Sequence, residues 1–151
     1  MRPLLPDTLK KKVPDAAAPG QWPAVTRARK VILLNGCVQP AMMPAIDTAT
    51  ARVLDKLGIE SIVPAGSGCC GAIRHHLNDH SGSHIDAKRN IDAWWPLIDS
   101  GEAEALIMNA SGCGAMVKDY AHLLRDDAAY ADKAKRIVEL TMDLAEYLPS
   151  R

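Results

Sequence analysis

The chain has 151 residues, the size of one domain, and at 48% hydrophobic residues it carries enough apolar mass to exclude wholesale disorder. Its 18 basic and 18 acidic side chains cancel, which argues against nucleic acid as a partner because such binders carry a net basic face. No apolar run approaches the ~20 residues of a membrane span, and the N-terminus lacks a signal peptide's apolar middle. A soluble, cytoplasmic protein is expected.

In chain order, residues 1–29 come first as an irregular, Pro-rich, basic arm. Five of the ten prolines lie there (Pro3, Pro6, Pro14, Pro19, Pro23). Counted to Lys30, the arm has seven basic and two acidic residues, so it is +5 and the remainder is −5. Proline fixes φ and removes a donor, which suits a linker better than a packed element, with at most a short helix near Leu9–Val13.

Residues 30–151 then alternate between strand and helix patterns. Val31 to Leu34 reads as a buried strand ending at Asn35-Gly36. Pro44 opens a helix with Ile46, Ala49, Val53, Leu54 and Leu57 at helical spacing and Gly58 after it. Ile59 to Val63 is a second strand. A helix over Ser83–Ser100 carries Ile85, Ala87, Ile91, Trp94, Trp95 and Ile98, with Pro96 expected to kink or shorten its end. Ala105 to Met108 is a third strand. Two helices follow, about Ala115–Arg125 and Ala128–Leu148. The alternation predicts an α/β fold, a Rossmann-like parallel sheet flanked by helices.

The cysteines fall at related places on this skeleton. Cys37 follows the first strand, Cys69 and Cys70 follow the second, and Cys113 follows the third. In a parallel sheet those loops share the carboxyl edge, where open α/β sheets bind ligands. Gly36, Gly68, Gly71, Gly112 and Gly114 stand near the cysteines, and glycine lets backbone amides approach a bulky ligand. Cys113 would lie at a helix N-terminus, which favours thiolate. A structural disulfide set conflicts with the cytoplasmic expectation. Zinc sites usually show spaced cysteine pairs, and the adjacent Cys69-Cys70 is poorly placed to chelate one small ion. An iron–sulfur cluster is larger and lets neighbouring thiolates reach different irons, so it is the leading expectation.

Cys37, a gap of 31 residues, Cys69-Cys70-Gly71 and a late Gly112-Cys113-Gly114 together resemble the cysteine-rich CCG module. That module occurs in heterodisulfide reductase subunits, anaerobic glycerol-3-phosphate dehydrogenase, lactate-utilisation proteins and glycolate oxidase. The run Asn109-Ala110-Ser111-Gly112-Cys113-Gly114-Ala115-Met116 and the Arg2-Pro3-Leu4-Leu5-Pro6 arm resemble the iron–sulfur subunit of glycolate oxidase. The resemblance implies Cys37, Cys69, Cys70 and Cys113 as cluster ligands. The general motif ends in C-x-x-C, and Ala110 stands at the first of those positions. Four thiolates remain, the number that an ordinary [4Fe–4S] cluster needs. The subunit's ferredoxin-like motifs and its second CCG module are not in this sequence, which looks like the middle third of such a subunit.

The resemblance further implies an electron relay serving flavoprotein subunits that oxidise glycolate, with FAD on the partner only and a quinone-type acceptor. Membrane association would be peripheral, on the inner face of the bacterial inner membrane, and through the complex. Two other classes stay open on the residues alone. One is a thiol–disulfide protein or sensor using Cys69-Cys70. The other is a zinc-binding or metal-free interaction module. His75, His76, His80 and His84 form the competing cluster, but Asn78 to Ser83 reads as a turn and helix cap that interrupts it, so solvated or loop-packing histidines are expected. Of the adjacent Trp94 and Trp95, one should anchor the core while the other leans outward.

Overall fold

The computed structural model describes residues 18–150. The expected helix near Leu9–Val13 and most of the arm lie outside them. Four strands, β1 (Arg29–Leu33), β2 (Ile59–Ile62), β3 (Leu106–Met108) and β4 (Thr141–Asp143), form one parallel sheet in the order β2-β1-β3-β4. The helices are α1 (Gln39–Met42), α2 (Pro44–Lys56), α3 (Ala72–His76), α4 (His80–Asp99), α5 (Ser111–Lys118), α6 (Tyr120–Leu123), α7 (Ala131–Leu140) and α8 (Leu144–Tyr147). A 3-10 turn, Leu148–Ser150, follows.

β1 is central, and its side chains from Val31 onward are buried on both faces, which is why it reads as an unbroken apolar run. Strand side chains alternate, so Val31 and Leu33 pack with Leu54, Ile59, Ile107 and Tyr147 on one face. Ile32 and Leu34 pack with Ile91, Trp94, Leu106, Met108 and Tyr120 on the other. The second face holds the larger core, built by α4, α5 and α7.

The sheet edge and the helices differ from expectation in three places. The first is α2, whose buried positions are Asp47, Thr48, Thr50, Ala51 and Leu54, while Val53 and Leu57 are 44% and 49% exposed. The helix is turned so that polar side chains meet polar partners across the sheet edge, and of the expected apolar positions only Leu54 is buried. Ile85 of α4 is likewise outside the core, at 66% exposed. The second is the start of α4, at His80 rather than Ser83, because the Asp79 carboxylate caps the N–H of Gly82 at 2.9 Å. Asn78 precedes it at φ 64°, and this left-handed residue separates α3 from α4. The helix runs past Pro96 to Asp99.

The third difference is the C-terminal region. The expected helix over Ala115–Arg125 is instead α5 and α6, divided at Asp119. The expected helix over Ala128–Leu148 is α7, then β4, then α8. Thr141 breaks the helix into an extended conformation and pairs with Leu106, adding an edge strand beside β3. Asp143 and Glu146 form a reciprocal capping box that starts α8. That D-x-x-E spacing is a helix-start signal inside what looked like one continuous helix.

Arg29, counted in the arm by composition, opens β1. The preceding residues from Ala18 are irregular and held against α2 and β2. Arg27 donates to Asp55 at 2.8 Å and through its backbone N–H to Glu60 at 2.9 Å. Among the described residues no helix is long and apolar enough to cross a membrane.

Candidate iron–sulfur site

Three strand-to-helix connections deliver the four cysteines to the carboxyl edge of the sheet. Cys37 follows β1 after Gly36, whose φ of 70° turns the chain back over the edge. A Cβ at Gly36 would lie 4.0 Å from the sulfur of Cys113, so this turn passes directly beside the third connection. Cys69 and Cys70 end the loop from β2, and Gly71, at φ 91°, leads into α3. A Cβ there would press on the carbonyl and hydroxyl of Ser83 at 3.1 Å, so the cysteine loop sits close against α4. Cys113 lies in the first turn of α5.

All four cysteines line one cavity of about 450 Å³. All are free thiols. Cys37 is exposed, Cys69 and Cys113 are half-buried, and Cys70 is 2% exposed. They meet as two pairs rather than as the adjacent pair in the sequence. Cys37 and Cys69 approach to 3.2 Å between sulfurs, and Cys113 packs beside Cys70 on the core side of the cavity. The remaining wall is mainly apolar, with Val38, Met42, Met43 and Ile73 at the rim. Gly36 and Gly112 line the cavity as well. Gly68 instead packs against Arg89, and Gly114 against Met108.

The thiols differ electrostatically. Burial, followed by the contact with Cys69, pushes Cys37 up to about 11. The interaction with Cys113, followed by burial, pushes Cys70 up. The same interaction lowers Cys113, because it favours that sulfur as the anion.

Two polar networks hold the connections, and neither was anticipated from the sequence. In the first, the 3% exposed carboxylate of Asp47 accepts from Gln39 Nε2 at 2.8 Å and Asn109 Nδ2 at 2.9 Å. Gln39 follows Cys37 and Asn109 precedes the Cys113 loop, so Asp47 ties those two connections together. Burial raises its carboxyl above the ordinary range, opposed by both hydrogen bonds. In the second network, the fully buried Asn90 donates to the carbonyl of Cys69 at 2.8 Å and accepts from Gly68 N–H at 2.8 Å. Tyr120 donates to the carbonyl of Cys70 at 2.9 Å and accepts from Asn90 at 3.1 Å. The available signal was a polar residue on an apolar stripe, Asn90 between Ala87, Ile91 and Trp94.

Of the histidines, His76 lines the cavity. His75 and His80 face each other edge-on at 4.9 Å. Among the described residues, no group of three or more His, Cys, Asp or Glu side chains is arranged around a single metal ion. Trp94 is buried, and half-buried Trp95 lies under the ammonium of Lys133 at 5.5 Å.

The sequence pattern of the cysteine-rich domain family known as CCG matches residues 31–118, from β1 through the end of α5, and this interval contains every cysteine. The chain belongs to the CCG cysteine-rich domain family. Among curated proteins, the glycolate oxidase iron-sulfur subunit of Escherichia coli K12 is 48% identical over 98% of this chain and 36% of its own length. The probable glycolate oxidase iron-sulfur subunit of Bacillus subtilis 168 is 32% identical, over 98% of this chain and 32% of its own length. Lactate utilization protein A of the same organism is 32% identical over 79% of this chain and 48% of its own. The chain thus spans about a third of the two glycolate oxidase relatives. No solved structure matches it.

Proposed function

We propose that Cys37, Cys69, Cys70 and Cys113 hold an iron–sulfur cluster of the [4Fe–4S] type. On this reading, residues 30–151 are the cluster-binding domain of an electron-transfer subunit in a flavin-dependent glycolate oxidase. The observation that carries this is the convergence of four thiols, from three separate strand ends, on one mainly apolar cavity. The donor set fits: four sulfur ligands around one cavity, and one thiol already disposed toward the anion. Two separated sulfur pairs suit a body with several iron atoms better than one tetrahedral ion. A cluster so held supplies one-electron storage and transfer. The chain's own residues fix the sulfurs, exclude water from Cys70 and leave Cys37 open at the rim.

The named relatives support the placement in a glycolate-oxidising complex. FAD would belong to a flavoprotein partner, and the ferredoxin-like and second CCG modules to the part of the relatives that this chain does not span. Electrons from glycolate would pass through this domain toward a quinone-type acceptor. Membrane association would come through the complex.

The test is anaerobic purification of the 151-residue chain, followed by iron and acid-labile sulfide analysis and EPR of the reduced form. Roughly four of each per chain is the expected result. Colourless, iron-free protein after reconstitution would overturn the proposal. A disulfide-exchange role has one favouring observation, the 3.2 Å approach of Cys37 to Cys69. It would show instead as a reversible Cys37–Cys69 disulfide in iron-free protein.

A further inference from the structure

The outward stripe of α2 has no part in holding the cysteines, yet it is built like a contact surface. Ala49, Arg52, Val53, Lys56 and Leu57 are all exposed at the spacing of one helix face. Together with Leu148 they line a surface groove of about 670 Å³. Its apolar edge continues through Ile46, which lines the cysteine cavity, to Met43 and Met42, which are 47% and 65% exposed at the rim. An apolar track therefore runs from the mouth of that cavity, where Cys37 is exposed, down the length of α2. Contiguous exposed apolar surface of this kind marks interaction sites.

Charge decides what fits the track. Among the described residues, every other lysine and arginine meets a carboxylate or lies over an aromatic ring. Arg52 and Lys56 meet neither, and they stand one helical turn apart beside Val53 and Leu57. The groove thus calls for carboxylates set next to apolar side chains. Packing the stripe on its own copy would set these cations against like charge, and the N-terminal arm is itself basic. Anionic lipid surfaces are bound by clusters of roughly four to eight basic side chains, and this stripe has two. The 13 residues of α2 give a face about 20 Å long, the right scale for a second helix laid along it, and Ala49 lets that helix come close.

We propose that this stripe docks an amphipathic helix of a separate protein, with carboxylates along the edge that meets Arg52 and Lys56, and so seats that protein beside Cys37. The site lies outside the cysteine cavity and needs no cluster in it, so the experiment uses the iron-free 151-residue chain and leaves the cluster reading untouched.

The probe is a designed peptide of about 18 residues, long enough to hold a helix, with leucine at helical spacing and glutamate along one flank. Its counterpart carries lysine in place of glutamate. Titrated into the isotope-labelled chain and followed by NMR, the glutamate peptide should bind about tenfold tighter than the lysine peptide and shift the amides of residues 42–57. Arg52→Glu combined with Lys56→Glu should reverse that preference while the unfolding temperature holds, because both side chains are exposed. Leu57→Ser should weaken the glutamate peptide on the order of tenfold.

Equal binding of the two peptides by the parent overturns the proposal, and so does a preference that survives the charge reversal or a set of shifts centred elsewhere. Co-sedimentation with phosphatidylglycerol-containing vesicles, lost on charge reversal and without a peptide preference, would assign the stripe to lipid instead. A parental dimer in sedimentation velocity that Leu57→Ser dissolves would assign it to a second copy, and overturn the proposal as well.

Discussion

Cys70 and Cys37 face the same cavity on very different supports. Cys70 is 2% exposed, its carbonyl is held by a buried tyrosine, and it packs beside Cys113 in the first turn of α5. Cys37 is exposed, and the four-residue α1 that follows it buries no side chain. Its connection is held one step removed, through Gln39 on Asp47. The difference teaches that four like ligands need not be equally built. The inner pair belongs to the core, so its geometry is set as the protein folds, while the outer pair stands where solvent or a partner can reach it.

The largest expected effect separates the two supports outright. Cys70→Ser should reduce bound iron to less than about a tenth of the parent's, whereas Cys37→Ser should retain about half or more. Equal losses in iron and sulfide analysis would erase the distinction. Next in size is the larger core behind the inner pair. Trp94→Ala should cost ~3–5 kcal/mol in denaturant unfolding, because it empties a fully buried site. Val53→Ala on the exposed side of α2 should stay within about 0.5 kcal/mol. A large loss at Val53 would mean that this stripe is covered in solution.

A smaller effect concerns the free thiols. In cluster-free protein near neutral pH, iodoacetamide should label Cys113 on the order of tenfold faster than Cys37, despite the greater exposure of Cys37. Mass spectrometry of the labelled peptides reads the order directly, and Cys37 reacting first would reverse it. The smallest effect lies at Asp47, whose folded pKa is raised by burial. A raised acid binds its proton more tightly in the folded state. Its contribution to stability is therefore fully present below the unfolded value and is lost as pH rises through the folded one. Asp47→Asn keeps an acceptor for Gln39 and Asn109 without the buried charge, so it should melt higher than the parent at pH 7. That gap should close on acidification, and a constant gap would assign the effect to packing.

Much of this was legible in local chemistry. β1, β2 and β3 were readable as short apolar runs, α2 from Pro44, and the placement of every cysteine after a strand from order along the chain. Parallel topology then followed from alternation, since strands joined through helices return in the same direction. β4 was not legible in that way: three residues between helical patterns become a strand only because β3 offers an unpaired edge beside them. The buried stripe of α2 was misread because burial there is decided by polar partners, Gln39 just ahead of the helix and Asn109, which is 62 residues from Asp47.

The sequence by itself determined which residues could serve as sulfur ligands and which edge of the sheet would carry them, because strand order and loop position are local properties. Tertiary structure alone decided how they pair. Cys69 and Cys70 are neighbours in the chain, yet one meets Cys37 across 3.2 Å and the other meets Cys113. It also decided what holds the cysteine loop, because Asn90 and Tyr120 reach the Cys69 and Cys70 carbonyls from 21 and 50 residues further along the chain. Hydrogen-bond direction depends on atoms brought within about 3 Å, and only the packed chain brings them there.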